Sequence, residues 1–224
     1  MFNRTIVGAS SPVLFFNNPL DGETSRQSRI AARTQIFLHG SSRPATLRVV
    51  EGCVALYREL GDGRRLILDV VGPGRLFGSG LVDSNECRAM TLAPASVEAI
   101  AADTDRAAVD AAVRQMLARA QAHALLLGRK TAAERVATAL LDLASQFARK
   151  SRRPAGAGRT TFNLHLTRAD LADWLGLTLE TVSRCLGALK RSKLIAFNHP
   201  EIITIRDRTA LEALAAGSPH ASAA

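Results

Sequence analysis

The chain has 224 residues, enough to bury one large core or two modest ones, and two domains is the better interpretation. Hydrophobic residues make up 47% and charged residues 22%, which is typical of a soluble globular protein, and no run approaches the length of a membrane span. The net charge of +9 is uneven: residues 1–105 hold 11 Lys and Arg against 11 Asp and Glu, whereas residues 149–224 hold 12 against 6. We therefore expect a polyanion to bind the C-terminal part.

The three cysteines, Cys53, Cys87 and Cys185, lie far apart and form no C-x-x-C pair. This spacing argues against a disulfide framework and against a zinc or iron–sulfur cluster built within one chain. The apolar run VLFF at 13–16 is too short for the hydrophobic region of a signal peptide. We therefore expect a cytoplasmic protein with reduced thiols and no membrane partner.

Residues 1–28 are polar and mixed, and we expect this N-terminal segment to be loosely ordered at its start. Over 29–104, short β-rich runs are separated by glycine turns, a pattern that predicts an antiparallel barrel or jelly roll. The predicted strands are IFLHG (36–40), TLRVVEG (46–52), CVALYREL (53–60), RLILDVV (65–71) and ASVEAIA (95–101).

A long helix is predicted over 105–128. Its apolar residues recur at alternating steps of four and three, the spacing of a coiled-coil seam. Because a single helix cannot bury such a stripe, we predict that two copies of the chain form a parallel homodimer through it. The predicted seam consists of Val109, Val113, Met116, Ala120, His123 and Leu127.

A second helix is predicted over 131–148, and a basic linker rich in Pro, Gly and Ala follows at 149–159. The apolar face of this helix consists of Val136, Leu140, Leu143 and Phe147. After the linker, FNLHL predicts a short strand, KLIAF and EIITI predict a β-hairpin, and DRTALEALAAG predicts a short capped helix. We place the C-terminal domain at 129–217 and a tail at 218–224.

Two short amphipathic helices around a glycine turn are predicted within residues 167–197. Thr167, with Asp170 three residues later, is the predicted N-cap of the first helix. Gly176 makes the turn, and Thr178 is the predicted N-cap of the second helix. An apolar stripe on each helix predicts that both pack on their own domain and expose the opposite face.

Glu180, Ser183 and Arg184 share the exposed face at the start of the second helix, because spacings of three and four bring side chains together. Arginine donates two hydrogen bonds to guanine, glutamate accepts one from cytosine, and serine contacts a base or a phosphate. The alternative is an ordinary solvated face of a helical bundle. The paired caps, the glycine turn and the local positive charge favour double-stranded DNA as the partner.

The segment TRADLADWLGLTLETVSRCLGALKRSKLI resembles the helix-turn-helix of the Crp-Fnr family of bacterial transcription regulators, and E-T-V-S-R is the form of its Fnr and FixK-like branches. GRKTAAERVATALLDLA and DRTALEALA are similar to the FixK/NnrR-like branch, so the resemblance covers almost the whole chain. It implies an α+β fold with a cyclic-nucleotide-binding-like jelly roll, a long dimerisation helix and a winged helix-turn-helix.

By this resemblance Glu180, Ser183 and Arg184 are the base-reading residues for an inverted repeat of TTGA-like half-sites. The resemblance also implies a homodimeric regulator, an activator that recruits RNA polymerase. Other residues near the motif are interpreted as contacts to the DNA backbone or as solvated charges. They are Thr167, Arg168, Thr178, Lys190, Arg191 and Lys193.

The effector of the jelly roll stays open. Cyclic-nucleotide-binding relatives carry a ribose-binding Glu where this chain has Ser79. Arg88 is the candidate contact for an effector anion, but with no carboxylate beside it we favour an exposed or structural arginine. By the same resemblance, oxygen-sensing Fnr proteins hold a cubane cluster with cysteines that lie mostly near the N-terminus, and no cysteine precedes Cys53 here, so ligand count excludes that cluster. His39 is the only histidine before His123, and a lone histidine on a strand is usually structural. We therefore expect no cofactor and no small-molecule effector. The alternative is a ligand-gated regulator that binds a cyclic nucleotide, haem or nitric oxide.

Cys185 is the candidate redox switch, since an adjacent Arg184 is expected to lower the pKa of its thiol and oxidation would repel DNA. A half-buried, inert cysteine is the alternative interpretation. A function of another class, a cupin-like metalloenzyme with a DNA-binding appendage, needs clustered histidines and carboxylates. Residues 29–102 hold one histidine, so we expect neither enzymatic activity nor a metal site.

Overall fold

A computed structural model describes residues 6–8, 11–15, 27–37, 46–78, 81, 87–100, 106–148 and 159–218, the first two ranges by their backbone alone. The chain divides into an N-terminal unit, Met1–Ala122, and a C-terminal unit, His123–Ala224. His39, Ser79, most of the linker and residues 219–224 lie outside the described ranges. Within those ranges no helix has both the length and the apolar character that crossing a membrane requires.

Two sheets build the N-terminal unit. In the described residues their strands are β1 (Ile6–Gly8), β2 (Ser11–Phe15), β3 (Ser28–Ile30), β4 (Gln35–Phe37), β5 (Thr46–Glu51), β6 (Val54–Glu59), β7 (Arg65–Val71), β8 (Leu76–Phe77), β9 (Arg88–Thr91) and β10 (Ala95–Ile100). The strand order is β1-β2-β4-β9-β6-β7 in one sheet and β3-β10-β5-β8 in the other. These described pairings are antiparallel except for that of β2 with β4.

The sequence pattern predicts the longer strands and misses the short ones. Five predicted strands are confirmed as β4, β5, β6, β7 and β10. The expectation that the start of residues 1–28 is loosely ordered is wrong for β1 and β2, which form an antiparallel hairpin. β2 contains most of the apolar run at 13–16, and its backbone pairs with that of β4. β3, β8 and β9 were not predicted, because two to four residues are too few to show an alternating pattern.

Side chains from both sheets form the core of the N-terminal unit. The turn between β5 and β6 needs glycine, because Gly52 has φ of +88° and a Cβ there would lie 2.3 Å from the carbonyl oxygen of Pro94. The turn between β5 and β6 can therefore pack closely against the turn between β9 and β10. The buried core consists of Ile30, Ile36, Leu47, Val49, Val54, Val71, Phe77, Ala89 and Val97.

The long predicted helix is confirmed as α1 (Arg106–Arg129), one residue later at each end than expected. In the N-terminal unit, Arg119 of α1 donates from Nε to Oδ1 of Asp69 on β7 at 2.9 Å. Arg75 donates from Nη2 to Oδ2 of the same carboxylate at 2.6 Å, and Asp69 is only 8% exposed. Two guanidinium groups compensate the burial of this carboxylate, and the bond from Arg119 fastens α1 to β7.

The C-terminal unit combines helices with a small antiparallel sheet of order β11-β13-β12. After α1 its elements are α2 (Ala132–Phe147), β11 (Thr160–Asn163), α3 (Arg168–Leu175), α4 (Leu179–Arg191), β12 (Ile195–His199), β13 (Ile202–Ile205) and α5 (Arg208–Ala215). All of these elements were predicted in this order. The apolar faces are confirmed as well: Val136, Leu140 and Leu143 are buried on α2, and Leu171 and Leu175 on α3.

Arg135 on α2 satisfies carbonyl groups at the ends of two other helices. Its Nη2 donates to the carbonyl of Leu127 in the last turn of α1 at 2.8 Å, and its Nη1 donates to the carbonyl of Leu175 at the end of α3 at 3.0 Å. Its Nε donates to the carbonyl of Lys130 at 2.9 Å, and Nη1 also donates to the carbonyl of Gly176 at 3.4 Å. The last carbonyls of a helix have no partner within the helix and carry partial negative charge, so a cation there is stabilising.

We expect Arg135→Met to lower the free energy of unfolding of the C-terminal unit by about 2–4 kcal/mol, since four carbonyls lose a charged donor. Urea unfolding followed by the fluorescence of buried Trp174, the single tryptophan, measures this loss. Arg129→Met, at an exposed position of α1, is the control and should cost less than about 0.5 kcal/mol. Equal effects of the two variants would contradict the assignment.

Candidate DNA-binding surface

Hydrogen bonds at the helix starts determine where α3 and α4 begin. The hydroxyl oxygen of Thr167 accepts from the backbone N–H of Asp170 at 3.1 Å, and Oδ2 of Asp170 accepts from that of Thr167 at 2.9 Å. Gly176 between the helices has φ of +60°, a left-handed conformation that favours glycine. Oγ1 of Thr178 accepts from the backbone N–H of Thr181 at 3.1 Å. The predicted caps and turn are confirmed.

Helix α4 divides into a buried and an exposed face as its sequence predicts. Val182, Leu186 and Leu189 are buried in the C-terminal unit. The structure brings the three predicted base-reading residues together on the opposite face, within the first two turns. Glu180, Ser183 and Arg184 are all exposed. A surface that presents an acceptor, a hydroxyl and a forked cation in this way suits the edges of bases in the major groove.

Glu180 and Arg184 form an ion pair across one turn of α4, between Oε1 and Nη2. Their side chains are 71% and 77% exposed, so water screens the pair and it contributes about 0.5 kcal/mol or less. The pair therefore holds the two side chains side by side without preventing either from bonding to another partner. A carboxylate beside a guanidinium can contact both bases of one G·C pair.

The predicted backbone contacts fall into two groups. One group is exposed and consists of Thr167, Thr178, Arg191 and Lys193. No described hydrogen bond or ion pair holds the side chain of Arg191 or Lys193. Arg168 and Lys190 instead lie against the ring of Phe197. The guanidinium carbon of Arg168 is 5.6 Å and Nζ of Lys190 is 4.4 Å from the ring centroid, and that Nζ also donates to the carbonyl of Phe197 at 3.1 Å. Partial burial lowers the pKa of Arg168.

One residue of this surface, Leu179, was not predicted. Leu179, the first residue of α4, is 53% exposed beside Glu180, although its residue type suggests a buried position. An exposed leucine at the start of α4 suits the methyl group of thymine. Asp170, predicted as part of the cap of α3, is only 1% exposed, so it does not belong to the exposed surface. The sequence could have predicted the exposure of Leu179, since this residue lies next to the base-reading residues and outside the apolar stripe of α4.

The predicted dimer seam is spread over both units. Of its residues in the N-terminal unit, Val113 and Ala120 are exposed and Val109 and Met116 are half-buried. In the C-terminal unit, the ring of His123 stacks on Trp174 of its own chain, with centroids 6.4 Å apart. Two leucines outside the predicted seam, Leu117 and Leu125, are 60% and 59% exposed, so the apolar stripe of α1 is wider than its heptad pattern indicates.

The expectation that Arg184 lowers the pKa of Cys185 is wrong. Arg184 pairs with Glu180, and partial burial raises the pKa of the Cys185 thiol. A raised pKa leaves less of the reactive thiolate at neutral pH. The redox role of Cys185 stays a prediction, without support from the acidity of its thiol.

The candidate effector contact, Arg88, lies at the surface and is ion-paired with Glu59 on the neighbouring strand β6. The premise that no carboxylate lies beside Arg88 is therefore wrong, because Glu59, 29 positions away in the sequence, lies beside it in the folded sheet. Burial raises the pKa of the adjacent Cys87 thiol. Among the described residues, no three histidine, cysteine or carboxylate side chains come close enough to hold a metal ion.

Residues 134–214 match the Crp-like helix-turn-helix domain family, and residues 27–115 match the cyclic nucleotide-binding domain family. The chain is similar to the nitrogen fixation regulation protein FixK of Azorhizobium caulinodans, with 40% identity over 82% of this chain and 77% of that protein. The chain belongs to the Crp/Fnr family. It is a transcription regulator with a helix-turn-helix DNA-binding domain, as its motif predicts.

Two further comparisons agree with membership in the Crp/Fnr family. The structure of FixK2 from Bradyrhizobium japonicum superposes with a TM-score of 0.71 at 33% identity, over 86% of this chain and 98% of that one. The transcriptional activator protein FnrL of Cereibacter sphaeroides is 48% identical over 83 residues, 37% of this chain and 33% of that protein. The predicted fold, a jelly roll with a helix-turn-helix, is confirmed.

We expect Cys185 to react slowly with iodoacetamide at pH 7, because burial keeps its thiol protonated. The rate should rise about tenfold per pH unit and continue to rise above pH 9, the ordinary pKa of a cysteine thiol. Mass spectrometry of the Cys185 peptide gives the rate, and the same peptide in urea-unfolded protein is the control. A plateau below pH 8 would show a lowered pKa and restore the redox-switch hypothesis.

Proposed function

We propose that this regulator is a homodimeric activator that binds an inverted repeat of TTGA-like half-sites and needs no small-molecule effector. The observation that carries the proposal is the joint exposure of Glu180, Ser183 and Arg184 at the start of α4. Phosphate-contacting cations alone would suit any DNA sequence, whereas these three groups suit particular base edges.

The chemistry of the three residues matches the bases of a TTGA half-site, which contains a single G·C pair. Arg184 donates to O6 and N7 of the guanine, and Glu180 accepts from N4 of the paired cytosine. Leu179 contacts a thymine methyl group, and Ser183 contacts a base or a phosphate. The exposed Glu180–Arg184 pair supports this assignment because it already places the two groups next to each other.

The proposed dimer buries the exposed apolar stripe of α1. Val113 and Leu117 are 38% and 60% exposed in the single chain, and apolar side chains repeated along one helix face are unfavourable in water. A second copy of α1 in parallel orientation covers them. Two copies related by a two-fold axis then present two α4 helices to a palindrome, with half-sites about one helical turn apart.

Independence from an effector is supported by the Asp69 cluster. Arg75 and Arg119 both bond to Asp69, so an internal carboxylate already fastens α1 to the jelly roll. Arg88 is likewise occupied by Glu59. We propose that these internal contacts replace those which an anionic ligand makes in ligand-gated relatives.

Activation is proposed from the relatives, since FnrL is described as a transcriptional activator and FixK as a regulator of nitrogen fixation. An activator of this kind recruits RNA polymerase, and we place its action in the cytoplasm. We propose no enzymatic activity.

We expect Arg184→Ala to lose about 1–3 kcal/mol of affinity for a TTGA palindrome and little affinity for a scrambled duplex. Arg191→Ala, at an exposed position of the same helix, should weaken binding to both duplexes equally. Fluorescence anisotropy without any small molecule measures these affinities. Equal losses on both duplexes for Arg184→Ala would contradict base recognition.

The same titration with cyclic AMP tests the ligand-gated alternative, which the match to the cyclic nucleotide-binding domain family favours. The proposal requires that the affinity of the wild-type protein for the palindrome stay within about twofold. A tenfold gain would instead establish ligand gating.

We expect Val113→Asp to raise the dimer dissociation constant about 100-fold, since two buried apolar contacts are lost and two carboxylates face each other. Sedimentation velocity over a range of protein concentrations measures this change. Leu60→Asp, at a 51% exposed residue of the turn between β6 and β7, is the control and should leave the dimer intact. A monomeric wild-type protein would contradict the proposal directly.

A further inference from the structure

Gly187 lies in the interior of α4, a position where glycine is unfavourable. Glycine loses more conformational freedom than alanine when a helix forms, so it destabilises α4 relative to alanine at the same position. The φ of Gly187 is not positive, unlike that of Gly176 before the helix, so the backbone does not require glycine here. The helix itself thus gives no reason for glycine at position 187.

The packing around Gly187 does not require glycine either. Among the described residues, a Cβ built on Gly187 would meet one heavy atom within 4 Å, Nη1 of Arg191 at 3.4 Å. This atom is the far end of a flexible, exposed side chain, which can move aside at little cost. By contrast, a Cβ at Gly52 would collide with backbone atoms. The folded C-terminal unit can therefore accommodate an alanine at position 187.

Gly187 lies in the middle of the exposed face of α4. With 3.6 residues per turn, it falls between Ser183 and Arg184 around the helix axis and one turn after them. The buried apolar stripe of α4 lies on another side of the helix. The face that we propose to bind DNA therefore has, at its centre, a position without a side chain of its own.

The absence of a side chain at Gly187 affects how closely α4 can approach DNA. An α-helix with its side chains is about 10–12 Å wide, and the major groove is about 12 Å wide, so the fit is tight. A glycine on the DNA-facing side lets the helix backbone come closer than any other residue allows. Ser183 needs this closeness most, because its hydroxyl oxygen lies only two bonds beyond its Cα, whereas Glu180 and Arg184 have long side chains.

We infer that Gly187 determines how deeply α4 enters the major groove, and that this depth brings the hydroxyl of Ser183 within hydrogen-bonding distance of a base edge. Gly187 is thus a positioning residue, which acts through Ser183. A methyl group at position 187 favours the free protein and opposes the complex. The inference rests on the proposed function, because α4 must be the helix that reads the palindrome.

The first test measures the stability and the DNA affinity of Gly187→Ala. Its thermal unfolding temperature, followed by circular dichroism, should rise by about 1–4 °C, because alanine favours the helix. Its affinity for the TTGA palindrome, measured by fluorescence anisotropy, should nevertheless fall on the order of tenfold, since the methyl group overpacks the contact with DNA. Its affinity for a scrambled duplex should change by less than about twofold, because non-specific binding depends on phosphates.

Two variants serve as controls. Gly128 is also a helical glycine, exposed in the last turn of α1, and no described heavy atom lies within 4 Å of a Cβ built on it. Gly128→Ala should not lower the unfolding temperature and should leave binding to both duplexes unchanged. The second control repeats Gly187→Ala in the Arg191→Ala background, where the loss of affinity for the palindrome should persist although the displaced guanidinium is gone.

A double-mutant cycle tests the link between Gly187 and Ser183. Ser183→Ala alone should lose about three- to tenfold in affinity for the palindrome, since one hydrogen bond is lost. In the Gly187→Ala background the same substitution should cost less than about twofold, because the hydroxyl no longer reaches the base. Arg184→Ala should keep most of its effect in both backgrounds, since the long side chain of Arg184 still reaches its guanine.

Normal binding of the palindrome by Gly187→Ala, equal losses on both duplexes, additive effects in the cycle with Ser183, or a lowered unfolding temperature would each overturn the inference and leave the proposed function intact. A loss that disappears in the Arg191→Ala background would assign the effect to the displaced guanidinium and overturn the inference as well. A wild-type protein without preference for the palindrome would contradict the proposed function itself, and with it the inference.

Discussion

Four carbonyl groups at or next to helix ends converge on the guanidinium of Arg135, and the geometry of the helix-turn-helix depends on this convergence. The bond to Leu175 holds the end of α3, directly before the turn from which α4 starts. A Cβ at Gly176 would lie 3.2 Å from Cδ2 of Leu127, so the turn packs tightly against the last turn of α1. The capping bonds at Thr167 and Thr178 then determine where the two helices begin. With both ends of α3 held, α4 has a defined starting point.

On that frame the recognition chemistry is confined to a few exposed side chains. In the free chain Glu180 and Arg184 bond to each other, and on DNA each exchanges this weak contact for a base edge. Little is lost in the exchange because the pair is open to water. Specificity therefore comes from the positions of the two groups, which α4 determines, and much less from the strength of any single bond in the free protein.

Local sequence patterns predicted the elements of the C-terminal unit because caps, turns and apolar stripes are determined within about ten residues. Interactions between distant residues escaped this reasoning. Arg135 bonds to Leu175, 40 positions away, and Arg119 bonds to Asp69, 50 positions away, and no local pattern signals either contact. The pKa of Cys185 was misjudged for the same reason, because burial and the pairing of Arg184 with Glu180 both depend on the folded helix.

The arginines around Asp69 and at Arg135 also change how the formal charge of +9 should be understood. Arg75 and Arg119 are occupied by one carboxylate, and Arg135 gives its donors to backbone carbonyls. Lys130 likewise donates to the carbonyl of Ala215. These four cations act as internal fasteners and attract few mobile counterions. The electrostatic field that a DNA molecule meets comes instead from the remaining surface cations, so the long-range attraction is both more local and more directional than the composition indicates.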